Sequence, residues 1–212
     1  MTPNDYITAK VEGQWYAFYN DTDFDKMHLY QGYVEGSLPN RKAAIKAGRQ
    51  ELVYGSTFML GADTFFDGLS FDAVKLGLKP VEAVTVDVFA GKYTTDNSGG
   101  ISGELYGAYA TYSVSDALAL DLYGLLDTGG EGLVHEGEDE RTYSVGARMT
   151  ANYGKLLALE VEPIFQFGTH IGDSSHHDIS AFGGHIDLTI DPALGRLRKQ
   201  RVHKLRLRLR RF

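Results

Sequence analysis

Apolar and polar residues alternate with period two over most of this chain, the pattern of strands that turn one face to apolar surroundings and the other to polar ones. Ten segments carry it, at 6–19, 28–37, 42–49, 71–79, 83–93, 103–113, 117–127, 142–152, 156–168 and 179–190. In the fifth, Val84, Val86, Val88 and Ala90 share one face while Thr85 and Asp87 share the other. The seventh sets Leu118, Leu120 and Leu122 against Asp121 and Tyr123, and the eighth sets Val145, Ala147 and Met149 against Ser144, Gly146 and Arg148. In the ninth, Leu157, Leu159 and Val161 oppose Glu160 and Glu162. A charge in mid-strand on the polar face requires water or a partner on that side.

The links between the segments alternate as well. Short ones stand at Ser37 to Arg41, Lys79 to Glu82, Ser113 to Asp116 and Asn152 to Lys155, and longer polar excursions at 20–27, 50–70, 94–102, 128–141 and 169–178. Tight turns at one end and long loops at the other predict an all-β fold, an antiparallel transmembrane β-barrel of the outer-membrane kind, of which about ten meander strands are visible. Most segments approach the roughly 9–11 residues of a tilted membrane-crossing strand. Trp15, Tyr19, Tyr143, Phe165 and Phe167 gather near strand ends on the loop side, where amphipathic rings settle at the headgroup level. These features point to passage across a membrane. A soluble antiparallel sandwich alternates too, with its apolar face on a core; it would be a carbohydrate-binding module with Tyr and Trp as a stacking surface. A barrel that only adheres or anchors is a third reading.

Composition narrows the choice. Among 212 residues, 25 Gly, 13 Tyr and 11 Phe against 5 Pro favour strands. With no Cys, a disulfide framework, a thiolate metal site and a cysteine nucleophile are excluded. No apolar run reaches the roughly 18 residues of a membrane helix, and a barrel needs none because alternate residues face lipid. The start, Met1-Thr2-Pro3-Asn4-Asp5, has neither a basic region nor an apolar core for export, so a barrel would carry mature numbering or come from a shortened reading frame. Residues 196–212 hold nine of the 21 Lys and Arg and no acid, leaving 12 basic against 28 acidic residues, a formal charge of −16, in the rest. The reading is a single barrel domain over 1–191, partial in extent, and a basic tail over 192–212 from a frameshifted or truncated end. In that tail Phe212 shares a face with Arg210 and Arg208, and arginines facing lipid would each cost about 2–4 kcal/mol at the midplane. The tail is therefore expected outside the barrel wall.

Gly48-Arg49-Gln50-Glu51-Leu52, Tyr54-Gly55, Phe71-Asp72-Ala73-Val74-Lys75-Leu76 and Val86-Asp87-Val88-Phe89-Ala90 stand in a fixed order. This stretch resembles the alginate export family of Gram-negative outer-membrane barrels. Members share a Gly-Arg-Gln-Glu-Leu strand end, a loop with Tyr-Gly, and a Phe-Asp-x-x-Arg/Lys strand. The likeness continues through Leu120-Asp121-Leu122-Tyr123, Thr142 to Arg148 and Phe165-Gln166-Phe167-Gly168, and ends near Asp191. It implies a porin-sized barrel in the outer membrane of a Gram-negative bacterium, exporting alginate-like anionic polysaccharide or passing other anionic solutes. Outer-membrane lipid and periplasmic export partners would surround it, with no nucleic acid.

Strand phase places Lys10, Lys42, Lys46, Lys75, Lys79 and Arg148 on the polar face with Glu12, Glu35, Asp87, Glu104, Asp121, Glu160, Glu162 and Asp187. The channel-lining candidates are Arg49, Lys46, Lys75, Arg148, Asp87, Asp121 and Glu160. Basic groups would lower the barrier to a carboxylate, and neighbouring acids would keep its binding weak. Arg49, at a strand end, either turns inward with the 50–70 loop, whose length suits a constriction or plug, or clamps that loop to the wall. No cofactor or metal is expected. Asp21-Thr22-Asp23-Phe24-Asp25 opens like a calcium loop, but Lys26 stands where the turn needs Gly and Gly32 where the closing Glu belongs. His170, Asp173, His176, His177 and Asp178 are accounted for as an exposed polar loop. His135-Glu136-Gly137-Glu138-Asp139 lacks the second His of a zinc-protease helix. With no nucleophile triad, P-loop or dinucleotide fingerprint in the chain, an enzyme is not expected.

Overall fold

The computed structural model describes residues 7–16, 26–38, 42–62, 69–94, 103–128, 139–154, 156–172, 175–190 and 203–210. These form one antiparallel sheet of eleven strands, with no helix among the described residues. The strands are β1 (Ile7–Tyr16), β2 (Lys26–Ser37), β3 (Ala43–Gln50), β4 (Phe71–Val81), β5 (Val84–Tyr93), β6 (Glu104–Ser115), β7 (Leu118–Thr128), β8 (Asp139–Tyr153), β9 (Leu157–Gly172), β10 (Ser175–Ile190) and β11 (His203–Arg210). Each pairs with the next in chain order, so the topology is a pure meander with β1 and β11 at its edges.

All ten segments marked by alternation are strands over their described residues, and several run further than alternation shows. β9 and β10 extend through Thr169, His170, His177 and Asp178, which pair across the hairpin as His170 with His177 and Thr169 with Asp178. The excursion at 169–178 is therefore largely strand, because backbone pairing does not require apolar side chains. The tail expectation is corrected more sharply. Residues 203–210 form β11 and pair with 183–190, with Leu205 opposite Leu188, Arg206 opposite Asp187, Leu207 opposite Ile186 and Arg208 opposite His185. In this register Leu205 and Leu207 match apolar neighbours while Arg206 and Arg208 match Asp187 and His185 on the polar face, so the phase taken from Phe212 misassigned the faces.

The sheet is curved around the segment 51–62. Tyr30 on β2 donates to the Glu51 carboxylate, and the Phe58 ring lies 5.2 Å from that of His185 on β10. Eight strand spacings separate β2 from β10, roughly 38 Å in a flat sheet. The seven residue steps from Glu51 to Phe58 span at most about 25 Å even fully extended, and here they turn back, with the Thr57 N–H donating to the Tyr54 carbonyl at 3.0 Å. Only a concave sheet brings both walls to one short segment.

At the loop end of the concave face, Leu52 and Leu60 from the segment pack with Phe71, Phe89, Leu105, Leu125 and Ile164 from five strands. Each large apolar side chain buried there contributes about 1.5–3 kcal/mol. Gly146 lies directly under the Tyr123 ring, which a Cβ would strike; glycine there lets the ring lie flat on the neighbouring strand.

The convex face is the opposite in character. Val74, Val88, Leu122, Val145, Phe165 and Ile186 are all exposed on it. Among the described residues of β3–β10, charged side chains in outward phase occur only in one row at the loop end: Arg49, Asp72, Lys92, Glu104, Arg141 and Asp178. Tyr143, Phe165 and Phe167 stack beside that row, with centroids 5.3 and 5.8 Å apart. Tyr19 and the Trp15 side chain lie outside the described residues.

Candidate functional site

Alternation that turns valines and leucines outward turns their neighbours inward, and those neighbours divide by sign. On β3 and β4, Lys46 stands opposite Lys75 in register. The Lys46 ammonium sits 3.7 Å above the Tyr33 ring, which holds a cation by its π face. The Lys75 ammonium lies 3.3 Å from Asp87 on β5 and 5.8 Å from the Tyr54 ring. From β5 to β10 the inward charges among the described side chains are Asp87, Asp121, Asp127, Glu160, Glu162 and Asp187, against Arg148. One side of the concave face is basic and the other acidic.

Arg148 organises the acidic side. Its Nη1 donates to Asp121 at 2.8 Å and its Nη2 to Glu160 at 2.5 Å. Asp121 also accepts from Tyr109 at 2.7 Å. Glu162 accepts from Tyr123 at 2.8 Å and from Ser56 at 2.6 Å, and Glu160 meets His185 Nε2 at 2.7 Å. The adjacent strands supply these groups at alternate positions of one face, which is why a sheet can hold so many charges together. A cavity of about 320 Å³ opens here, lined by Tyr54, Asp87, Tyr109, Thr111, Asp121 and Arg148.

The segment 51–62 is held over this wall. The Tyr54 hydroxyl donates to Asp87 at 2.9 Å, and its ring stacks on Phe89 and Tyr109 at 5.4 and 4.7 Å. Tyr109 stacks in turn on Tyr123 at 5.4 Å. Burial, with the Asp87 charge second, pushes the Tyr54 hydroxyl well above its ordinary range, so it remains a donor. Thr57 adopts a φ of 63°, a left-handed conformation that costs a β-branched residue about 1–3 kcal/mol and persists because the surrounding contacts fix it.

Six of the seven expected channel residues share the inner face: Lys46, Lys75, Asp87, Asp121, Arg148 and Glu160. Arg49 does not. It is in outward phase, where Nε and Nη2 form a bidentate pair with Asp72, both at 2.9 Å, and Nη1 donates to the Leu29 carbonyl at 3.1 Å. Arg49 thus ties β2, β3 and β4 together and does not turn inward. Phase decided its side, as it does for every residue inside a strand. The sequence reading gave Tyr54 and Tyr123 no site role and passed over Ser56, Tyr109 and His185. His185 could have been found, since with Asp187 it alternates against Ile186 and Leu188.

No family model matches the chain, and no curated protein matches it.

Proposed function

We propose that the chain forms wall of an outer-membrane β-barrel channel that passes anionic solutes, alginate-like polysaccharide among them. The observation that carries this is the apolar band on the convex face of β3–β10, free of charge among the described residues, set against a charged, hydrogen-bonded concave face. On β9 the band runs from Leu157 to Phe167, about 34 Å of strand, which a tilt of about 45° converts to roughly 24 Å. An outer-membrane barrel presents an apolar belt about 25 Å tall with aromatic girdles at its borders. The resemblance of 47–191 to alginate export barrels supports the same reading. The two edges, β1 and β11, call for further strands or a second copy to close the wall, because unpaired backbone is not tolerated in lipid.

Within the channel, the lysines of β3 and β4 lower the barrier to a passing carboxylate, and the facing acids shorten its stay. The segment 51–62 narrows the path. Planar-bilayer recordings test the proposal: discrete conductance steps are expected, and Lys46→Ala with Lys75→Ala should move the reversal potential toward cation preference. Removing residues 53–61 should raise unitary conductance several-fold. A chain that gives no steps, or whose selectivity ignores both lysines, is not this channel. The apolar cluster beneath 51–62 favours a second reading, a soluble carbohydrate-binding module. Recovery of a monodisperse monomer from detergent-free buffer, binding uronate oligosaccharides, would establish that instead.

A further inference from the structure

On the acidic side of the concave face, Glu160 and Asp187 stand opposite one another on β9 and β10, and His185 lies two residues from Asp187 on the same face. The ligand atoms of these three residues lie within 4.8 Å of one another. The His185 side chain is fully buried, with Nε2 2.7 Å from Glu160 Oε1 and 3.9 Å from Asp187 Oδ2. On its far side Nδ1 stands 3.8 Å from Glu162 Oε2. Two buried polar atoms in the cluster, His185 Nδ1 and Asp187 Oδ1, have no hydrogen-bond partner among the described residues. Asp121 and Glu160 are paired with Arg148 at 2.8 and 2.5 Å, whereas Glu162 and Asp187 stand 3.8 and 3.9 Å from the two nitrogens of the buried His185 ring. Carboxylates gathered around a buried imidazole with unpartnered polar atoms are the donor set that a shared cation or proton holds together.

We propose that Glu160, His185 and Asp187 form a divalent-metal site. One imidazole nitrogen with two carboxylates suits a borderline ion, Zn2+, better than calcium or magnesium, which take oxygen ligands. Ligands on a tetrahedral zinc at bonds of about 2.0–2.1 Å lie about 3.3 Å apart. The 2.7 and 3.9 Å separations therefore each change by about 0.6 Å on binding. Glu162, 3.8 Å behind the ring, is the nearest carboxylate that Nδ1 could meet once the ring shifts, the usual orienting partner of a ligating histidine. A cavity of about 360 Å³ bordered by Glu160 and Asp187 gives the ion an entrance and room for water as a remaining ligand. The bound ion would offset the charges of Glu160 and Asp187.

The site stands whether or not the channel reading does, since binding is read on the purified full chain. Zn2+ titration by calorimetry, in the His177→Ala background to remove an opposed pair of histidines at the rim, should show one equivalent per chain. Asp187→Asn and His185→Ala, with strand content confirmed by circular dichroism, should each weaken that equivalent at least 100-fold. Asp187→Asn is close to isosteric and keeps the test valid if His185→Ala does not fold. Absence of a saturable equivalent, or its survival in Asp187→Asn, overturns the proposal and leaves a shared proton to hold the cluster together. If the chain conducts, micromolar Zn2+ should also shift its reversal potential toward anion preference, and not in Asp187→Asn.

Discussion

Arg148→Ala is expected to destabilise the folded chain by about 3–5 kcal/mol, because it leaves two partly or fully buried carboxylates without their counter-charge. Asp121 is only 6% exposed, and both it and Glu160 receive a charge-assisted bond from the same guanidinium, at 2.8 and 2.5 Å. Tyr109 would still donate to Asp121 and His185 would still meet Glu160, yet neither is a fixed cation. Adding Asp121→Asn and Glu160→Gln to the same chain should recover most of the loss, since the penalty lies in unpaired charge and not in packing. Urea unfolding from lipid vesicles, followed by circular dichroism, measures both steps. A loss below about 1 kcal/mol for Arg148→Ala would place the triad in bulk-like water, and the network would then not be the organiser of this wall.

What the sequence made legible follows from what a strand requires. Leu118, Leu120 and Leu122 against Asp121 and Tyr123 display period two directly, and the inward group of six charged residues follows from phase alone. Strand ends were less legible: Arg141, Thr169 and His177 are polar on both faces, yet they pair. The 50–70 loop could be read as a constriction from its length, but its anchors could not be, because Ser56 meets Glu162 across more than 100 residues of chain. Nothing local marks such a contact. Arg49 misled for a different reason: the motif drew attention to it, while its phase, already visible beside Lys46 and Gly48, placed it outward with Asp72. The tail misled because its terminal aromatic was taken to define a face that the register with β10 assigns to the leucines.

Leu122→Arg separates a membrane wall from a soluble sheet. Leu122 is 62% exposed and sits in mid-strand on β7, while Val114 is 42% exposed near the tight turn that follows β6. In water an exposed position away from special features tolerates substitution within about 0.5 kcal/mol, so in a soluble module both arginines would be nearly silent. In a bilayer the cost depends on depth, about 2–4 kcal/mol for arginine at the midplane and about 0–1 near an interface. The expected result, from unfolding in lipid vesicles, is a loss of about 2–4 kcal/mol for Leu122→Arg and for Val88→Arg, and at most about 1 for Val114→Arg. The gradient is the diagnostic quantity, because a packing defect would not scale with distance from the strand ends. Equal costs at Leu122 and Val114 would show that the apolar band of the convex face does not meet lipid, and the channel reading would fall with it.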